Sequence, residues 1–386
     1  MFSSRLDWDL RPNRISALLE AKRRAGAEVL DLTESNPTRA GIEYPAGEIL
    51  AALADPRSLV YEPSPAGLRE PRAAVAAYCA ARGQEAPAER ILLTSSTSEA
   101  YALLFKLLCD PGDEVLAPRP SYPLFEFLAR LESVRVTQYS LRYHGRWEID
   151  LDALERAVTG RTRAVIVVNP NNPTGSFLKR RELARLAELC AARGMAIVSD
   201  EVFSDYAFGA DAERVVSLAG VEAALTFCLG GLSKAAGLPQ MKLGWIVAGG
   251  PAELRARALE RLELIADTYL SVATPIQHAA ARLLAAGESV QAQIAARTRG
   301  NLDWLRGAVS DSAIDALDVE GGWYAILRVP RTRSEEEWAL ELLAGDGVLV
   351  QPGFFYDFEA EAFLVVSLLT RPETFREGIR RLLARR

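Results

Sequence analysis

The stretch Ala164-Val-Ile-Val-Val-Asn-Pro-Asn-Asn-Pro-Thr-Gly175 is an unbroken apolar run that opens into a polar segment of turn formers. A strand covered on one face alternates polar and apolar residues. Five aliphatic positions in a row instead suit a strand buried on both faces, as in a parallel sheet packed between helices. Outward from this run, short apolar segments recur at 91–94, 113–117 and 134–140 before it, and at 195–199, 224–229 and 243–248 after it. A helical pattern at 68–82 precedes them, and patterns from Ser95 to about 109 and at 179–193 fall between them. This alternation predicts an α/β fold: a large domain with a mostly parallel, seven-stranded-type sheet flanked by helices. Ligands of such sheets bind beyond the carboxyl ends of the strands, which is where Asn172, Asp200 and the loop from Gly230 to Trp245 fall.

Past residue 251 the pattern is helical to about 267, with further helices expected near 275–286 and 290–309. From about 319 it changes to strands at 323–329, 348–351 and 363–369, with helices at 335–343 and 372–383, a smaller α+β domain. The expected division is 46–289 for the large domain and 1–45 with 290–386 for the small one.

Composition narrows the chemistry. The 386 residues are 49% hydrophobic and 25% charged, with a net charge of −6, which gives no basic footprint for nucleic acid. No run reaches bilayer-spanning length and the first residues lack a signal-peptide core, so no membrane association and a cytoplasmic location are expected. Cys79, Cys109, Cys190 and Cys228 are far apart in apolar patterns and read as buried thiols. His144 and His278 are the only histidines. That scarcity counts against Ser-His-Asp, Cys-His and histidine–metal chemistry, and no metal site is expected.

Lysine is also scarce: the chain has five lysines against 40 arginines, and two of them, Lys234 and Lys242, sit in the glycine-studded loop after residue 229. A lysine desolvated in a pocket deprotonates readily and can form a Schiff base, although a Ser233-Lys234 pair alone is equally at home in a solvated loop. At Ser95-Ser-Thr-Ser98 four hydroxyls crowd a helix start, where free N–H groups and the helix dipole would hold a phosphate. Tyr122 lies between turn formers at a strand end, and Tyr61 heads the Pro/Gly-rich loop 61–67.

Together the pieces Asn-Asn-Pro-Thr-Gly175, Asp200-Glu-Val-Phe203, Ser233-Lys234 and a basic residue eight positions after that lysine resemble, in order and spacing, the class I/II aminotransferases, the fold-type I pyridoxal 5'-phosphate (PLP) enzymes. The resemblance runs from about Asp31 to the C-terminus. It implies PLP as cofactor, with Lys234 as the Schiff-base lysine that also moves a proton and Asp200 as partner of the pyridine nitrogen. It further implies Asn172 as donor to the phenolic oxygen O3′, Tyr122 as the aromatic stacked on the ring, and Ser96, Thr97, Ser98, Ser233 and Lys242 around the phosphate. Tyr61 matches a tyrosine that reaches the neighbouring subunit's phosphate, which implies a homodimer. Amino acids and 2-oxo acids are the implied substrates.

Three departures stand out. Phe203 occupies the place of a tyrosine that also donates to O3′, so a raised Schiff-base pKa is expected unless Tyr206 substitutes. Gly231 replaces a phosphate-binding serine. Val365 stands where the family usually has the arginine that clamps the substrate α-carboxylate, leaving Asn36, Arg39 and Arg371 as candidates for that task, with Asn172 as a further contributor. No arginine lies in 268–275, where dicarboxylate-preferring relatives often keep one, so a neutral amino donor is favoured. A carbon–sulfur β-lyase on the same scaffold, and a PLP-binding protein that has lost turnover, stay open at this level.

Overall fold

The computed structural model describes residues 1–385. Eight strands form the large sheet: β1 (Ile91–Thr94), β2 (Glu114–Arg119), β3 (Arg135–Tyr143), β4 (Trp147–Ile149), β5 (Thr162–Val168), β6 (Ala196–Asp200), β7 (Thr226–Gly231) and β8 (Gly244–Gly249). Their spatial order is β1-β8-β7-β6-β5-β2-β3-β4. Strands β7, β6, β5, β2 and β3 are parallel neighbours, whereas β8 pairs antiparallel with both β7 and β1. The short β4, absent from the sequence-based expectation, returns antiparallel on β3 through a turn at Gly145.

Burial on both faces explains the unbroken apolar runs. In β5, Val165 and Val167 join one core cluster while Ala164, Ile166 and Val168 join another on the opposite side. The second cluster packs the sheet against helices Thr97–Leu108 and Ala252–Tyr269, through Leu103, Leu104, Leu262 and Ala266.

A smaller four-stranded antiparallel sheet follows: β9 (Asp315–Ala316), β10 (Tyr324–Arg328), β11 (Gln351–Pro352) and β12 (Phe363–Ser367), ordered β9-β10-β12-β11. Its core includes Phe375, Ile379 and Leu382 of helix Pro372–Ala384, and Ile15, Leu30 and Leu32 from the N-terminal stretch. Leu30–Asp31 also pairs in parallel with Val348–Leu349.

One expectation is corrected. The two helices anticipated at 275–286 and 290–309 are a single helix, Thr274–Val309, of 36 residues. Gly287, which falls between the two expected segments, lies inside it. A Cβ there would sit 2.3 Å from the Cβ of Ala236, so the glycine is where the helix touches the lysine loop rather than where it ends.

Candidate active site

Strand register gathers the candidates at one edge of the large sheet. Val168 pairs with Asp200, Asp200 with Leu229, Gly231 with Gly244, and Gly244 with Thr94. The Asn172 loop, Asp200, the short helix Leu232–Ala235 that carries Lys234, and helix Thr97–Leu108 therefore all leave the sheet at the same end. Gly244 makes this convergence tight: a Cβ on it would lie 2.9 Å from Oγ1 of Thr94 and 3.1 Å from the carbonyl carbon of Ser96.

Lys234 is only partly exposed, and its Nζ lies 4.9 Å from the ring centre of Trp323 and 5.6 Å from that of Phe203. Burial among these rings pulls its pKa down to about 8, and the charge of Asp200 resists the fall. Asp200 shifts the other way, up to about 6, because burial disfavours its carboxylate. The Val202 N–H and the Tyr101 hydroxyl, each donating over 3.2 Å, and the Lys234 charge oppose that rise. Tyr101 was missed at the sequence level. It lies four residues after Thr97, hence on the same helix face as the hydroxyl-rich start, and that spacing was a readable signal.

Tyr206 does not stand in for the hydroxyl that Phe203 lacks. Its ring is buried edge-on against Trp323, and its hydroxyl donates to the Lys234 carbonyl over 2.6 Å, which fixes the lysine's backbone instead.

At the helix start, Ser96 is the N-cap and its hydroxyl accepts from the Glu99 N–H over 3.1 Å. Glu99 turns back, accepting from the Ser95 N–H over 2.6 Å and from the Ser271 hydroxyl over 2.8 Å. The Ser96 hydroxyl accepts here and keeps its own O–H to donate, and the side chains of Ser96, Thr97 and Ser98 are all partly exposed. Lys242 is exposed, with a left-handed backbone at φ 51°, and has no ion pair among the described residues. Ser233 is partly exposed beside Lys234.

Asn172 gives the clearest sign of a ligand. The amide of Asn169 is tied to Val215 and Leu178, and that of Asn171 to Pro120, each at 2.9–3.0 Å. Asn172 is buried as well, yet its Oδ1 has no partner among the described residues. The two ends of an amide are interchangeable in position, so this is a buried hydrogen-bonding group waiting for a counterpart. A helix start open to an anion, an exposed lysine, an unpaired buried amide and a carboxylate beside a desolvated amine form a donor set that fits PLP.

The remaining candidates lie further out. Tyr122 is 47% exposed, and close enough to Tyr324 and Tyr356 to influence both electrostatically. Tyr61 is 76% exposed. Asn36 uses its Oδ1 to accept from the N–H and the hydroxyl of Thr38. Arg39 is exposed and without an ion pair among the described residues, and Arg371 packs over Gly41, where a Cβ would meet its Nε at 2.7 Å. The structure does not bring Arg39 or Arg371 into a hydrogen bond with Lys234, Asp200 or Asn172. Val365 is fully buried. Among the described residues no group of His, Cys, Asp and Glu could hold a metal ion, and no helix is long and apolar enough to cross a membrane.

Comparison with known proteins converges on the same chemistry. Glutamate-pyruvate aminotransferase AlaA of Escherichia coli (strain K12) is 28% identical over 380 residues, covering 95% of this chain and 93% of the relative. Alanine aminotransferase of Mycobacterium tuberculosis (strain ATCC 25618 / H37Rv) is 28% identical over 370 residues, covering 92% and 84%. Among solved structures, alanine aminotransferase from Pyrococcus furiosus superposes with a TM-score of 0.88 at 21% identity, covering 100% of this chain and 99% of the other. These relatives favour transamination over the carbon–sulfur lyase alternative. With the family model for aminotransferase class I and II matching residues 27–382, the chain belongs to that family and is a PLP-dependent enzyme that moves an amino group between an amino acid and a 2-oxo acid.

Proposed function

We propose that Lys234 is the amine that binds the cofactor and carries the proton, with Asp200, Asn172 and the Thr97 helix start holding the cofactor around it. The observation that carries this assignment is the pairing of a lysine lowered to about 8 with a carboxylate raised to about 6, next to a buried amide without a partner. When bound, PLP supplies an electron-withdrawing ring that spreads the negative charge left at the substrate Cα. Near pH 8 about half of Lys234 is neutral, so its Nζ can take a proton and return it within one turnover. Tyr206 and the rings of Trp323 and Phe203 keep that nitrogen in place and exclude water. Asp200, oriented by Tyr101 and the Val202 N–H, would hold the pyridine nitrogen. Asn172 would donate to the phenolic oxygen, and Ser96, Thr97, Ser98, Ser233 and Lys242 would surround the phosphate, with helix N–H groups doing most of the holding.

The donor is proposed to be a neutral amino acid, in keeping with the absence of arginine from 268–275 and with a relative named alanine aminotransferase, while the relative named for glutamate and pyruvate pairs an acidic with a neutral partner. A homodimer with Tyr61 reaching the partner's site is also proposed. Leu59, Val60, Tyr61 and Tyr269 are 90%, 63%, 76% and 55% exposed, an apolar surface suited to a partner subunit. A cytoplasmic location suits four free cysteines. The test is the absorbance of the holoenzyme on adding a panel of amino acids. Conversion of the cofactor to its amine form by neutral amino acids, lost in Lys234→Ala, is expected; conversion that survives Lys234→Ala sinks the assignment. Sedimentation of the wild type as a monomer at micromolar concentration would remove the dimer.

A further inference from the structure

The substrate α-carboxylate needs donors once it leaves water, and the strand position that usually supplies a cation carries Val365. We infer that Gln351, with its amide fixed by Tyr356, takes that carboxylate in place of a cation. The inference rests on the transaminase reading above.

Side-chain direction in β12 comes first. Leu364 and Val366 belong to the core of the smaller sheet, whereas Val365 lies in the cluster shared with the large sheet, so Val365 faces the space between the sheets. Its direct cross-strand neighbours are Ile326 in β10 and Gln351 in β11. Residues directly opposite in an antiparallel pair point to the same side with Cβ atoms about 5 Å apart, so Gln351 is the polar member of a row of three. Further along the same face, Tyr324 pairs with Ser367. The Tyr324 ring lies 6.4 Å from that of Phe203, which is itself 5.6 Å from the Lys234 Nζ. Tyr324 therefore marks the part of this face nearest the lysine, with Gln351 on the same face two strands across.

The amide of Gln351 is also oriented. The Tyr356 hydroxyl donates to its Oε1, which leaves the Nε2 end free of any hydrogen bond among the described residues, on a side chain that is partly exposed. Tyr356 is itself buried, and its carbonyl accepts from the Ser121 N–H over 3.0 Å, next to Tyr122. The Ser121 hydroxyl in turn donates to Asn171 over 3.5 Å, one residue from Asn172. Gln351 is thus braced against the loop that would hold the cofactor. Its two N–H groups match a carboxylate oxygen, as a neutral donor that binds more weakly than a guanidinium fork.

The experiment follows the absorbance of the holoenzyme with L-alanine and with ethylamine, which keeps the amine and methyl group and lacks the carboxylate. Gln351→Leu is expected to cut the second-order rate with L-alanine at least tenfold, Gln351→Glu more, and Tyr356→Phe less than Gln351→Leu. All three should leave ethylamine within twofold of wild type, and Gln351→Leu should raise the dissociation constant of propionate about tenfold. Cofactor absorbance and melting temperature report folding; should Gln351→Leu not fold, Gln351→Asn withdraws the amide by one methylene and reads the same quantity. Unchanged L-alanine rates in Gln351→Leu and Gln351→Glu, or equal losses for L-alanine and ethylamine, would overturn the inference, as would a loss confined to Arg39→Ala or Arg371→Ala. A wild type that reacts with no amino acid fails both readings. A wild type that reacts through Lys234 and is matched by Gln351→Leu fails this one alone.

Discussion

The edge of the large sheet and the side of the smaller sheet packed toward it are built on different electrostatics. The edge of the large sheet brings Lys234 and Asp200 together, both with pKa values pulled toward neutrality by burial, and braces each with a tyrosine hydroxyl. The facing row of the smaller sheet, Ile326, Val365, Gln351 and Tyr324, carries no charge. Tyr324 is itself pushed up to about 12 by burial, so it stays a neutral donor across the working range. The contrast separates two tasks. Proton transfer needs groups whose charge changes near neutral pH. Positioning needs only fixed donors.

The most direct way to break this contrast is to remove the amine. Lys234→Ala is expected to slow the amino-acid-driven absorbance change by about 10⁴ or more, and Lys234→Arg equally, because a guanidinium does not deprotonate. A slowing of less than about tenfold would place the moving proton elsewhere. Asp200→Asn keeps the shape and removes the charge; a fall of about 10²-fold in kcat is expected, with Tyr101→Phe costing roughly threefold to tenfold, both read in steady-state assays.

The pH dependence sharpens the comparison next. With Lys234 at about 8, uptake of PLP by the apoprotein should rise roughly 50-fold between pH 6 and pH 8 and level off above pH 9, as followed by stopped-flow absorbance. The sign for stability follows from the same shift. A lysine lowered on folding is a buried ammonium that opposes folding at low pH. The folded state sheds that proton first, so its contribution improves as pH climbs from about 8 to the ordinary lysine value. Urea midpoints of the apoprotein should show this rise, and Lys234→Met should abolish it. The smallest effect concerns Phe203→Tyr. If the missing hydroxyl raises the Schiff-base pKa, restoring it should lower the pH at which the bound cofactor changes colour by about one unit, read by absorbance titration.

The parallel core of the fold was legible because burial on both faces leaves a signature in a single strand: Ala164 to Val168 needs no partner to be read. The short β4 was not, since Trp147–Ile149 alternates too briefly to outweigh the turn beside it. The break expected between 286 and 290 is bridged by helix, where Gly287 serves a close contact with Ala236. Among the proposed site residues, Lys234, Asp200 and Asn172 could be nominated from the sequence because each follows closely on a strand that the pattern locates. Gln351 was not, because its importance comes from standing opposite Val365, and cross-strand register is set by packing between segments far apart in the chain. Tyr101 falls between these cases: its helix spacing was visible, but the carboxylate it serves is 99 residues away.

The 36-residue helix Thr274–Val309 has a mechanical consequence. Near its middle it rests on Ala236 through Gly287 and holds the Ala235 carbonyl through Gln291 over 3.0 Å. About three turns beyond Gln291, Asn301 grips the carbonyls of Leu368 and Thr370 beyond the end of β12, at 2.8 and 2.7 Å. Stiff rods bend little without a proline or a π-bulge, and between these two grips this one has neither. One continuous element therefore ties the backbone beside Lys234 to the end of β12, so that the lysine loop and the smaller sheet are held in a fixed relation by a single helix.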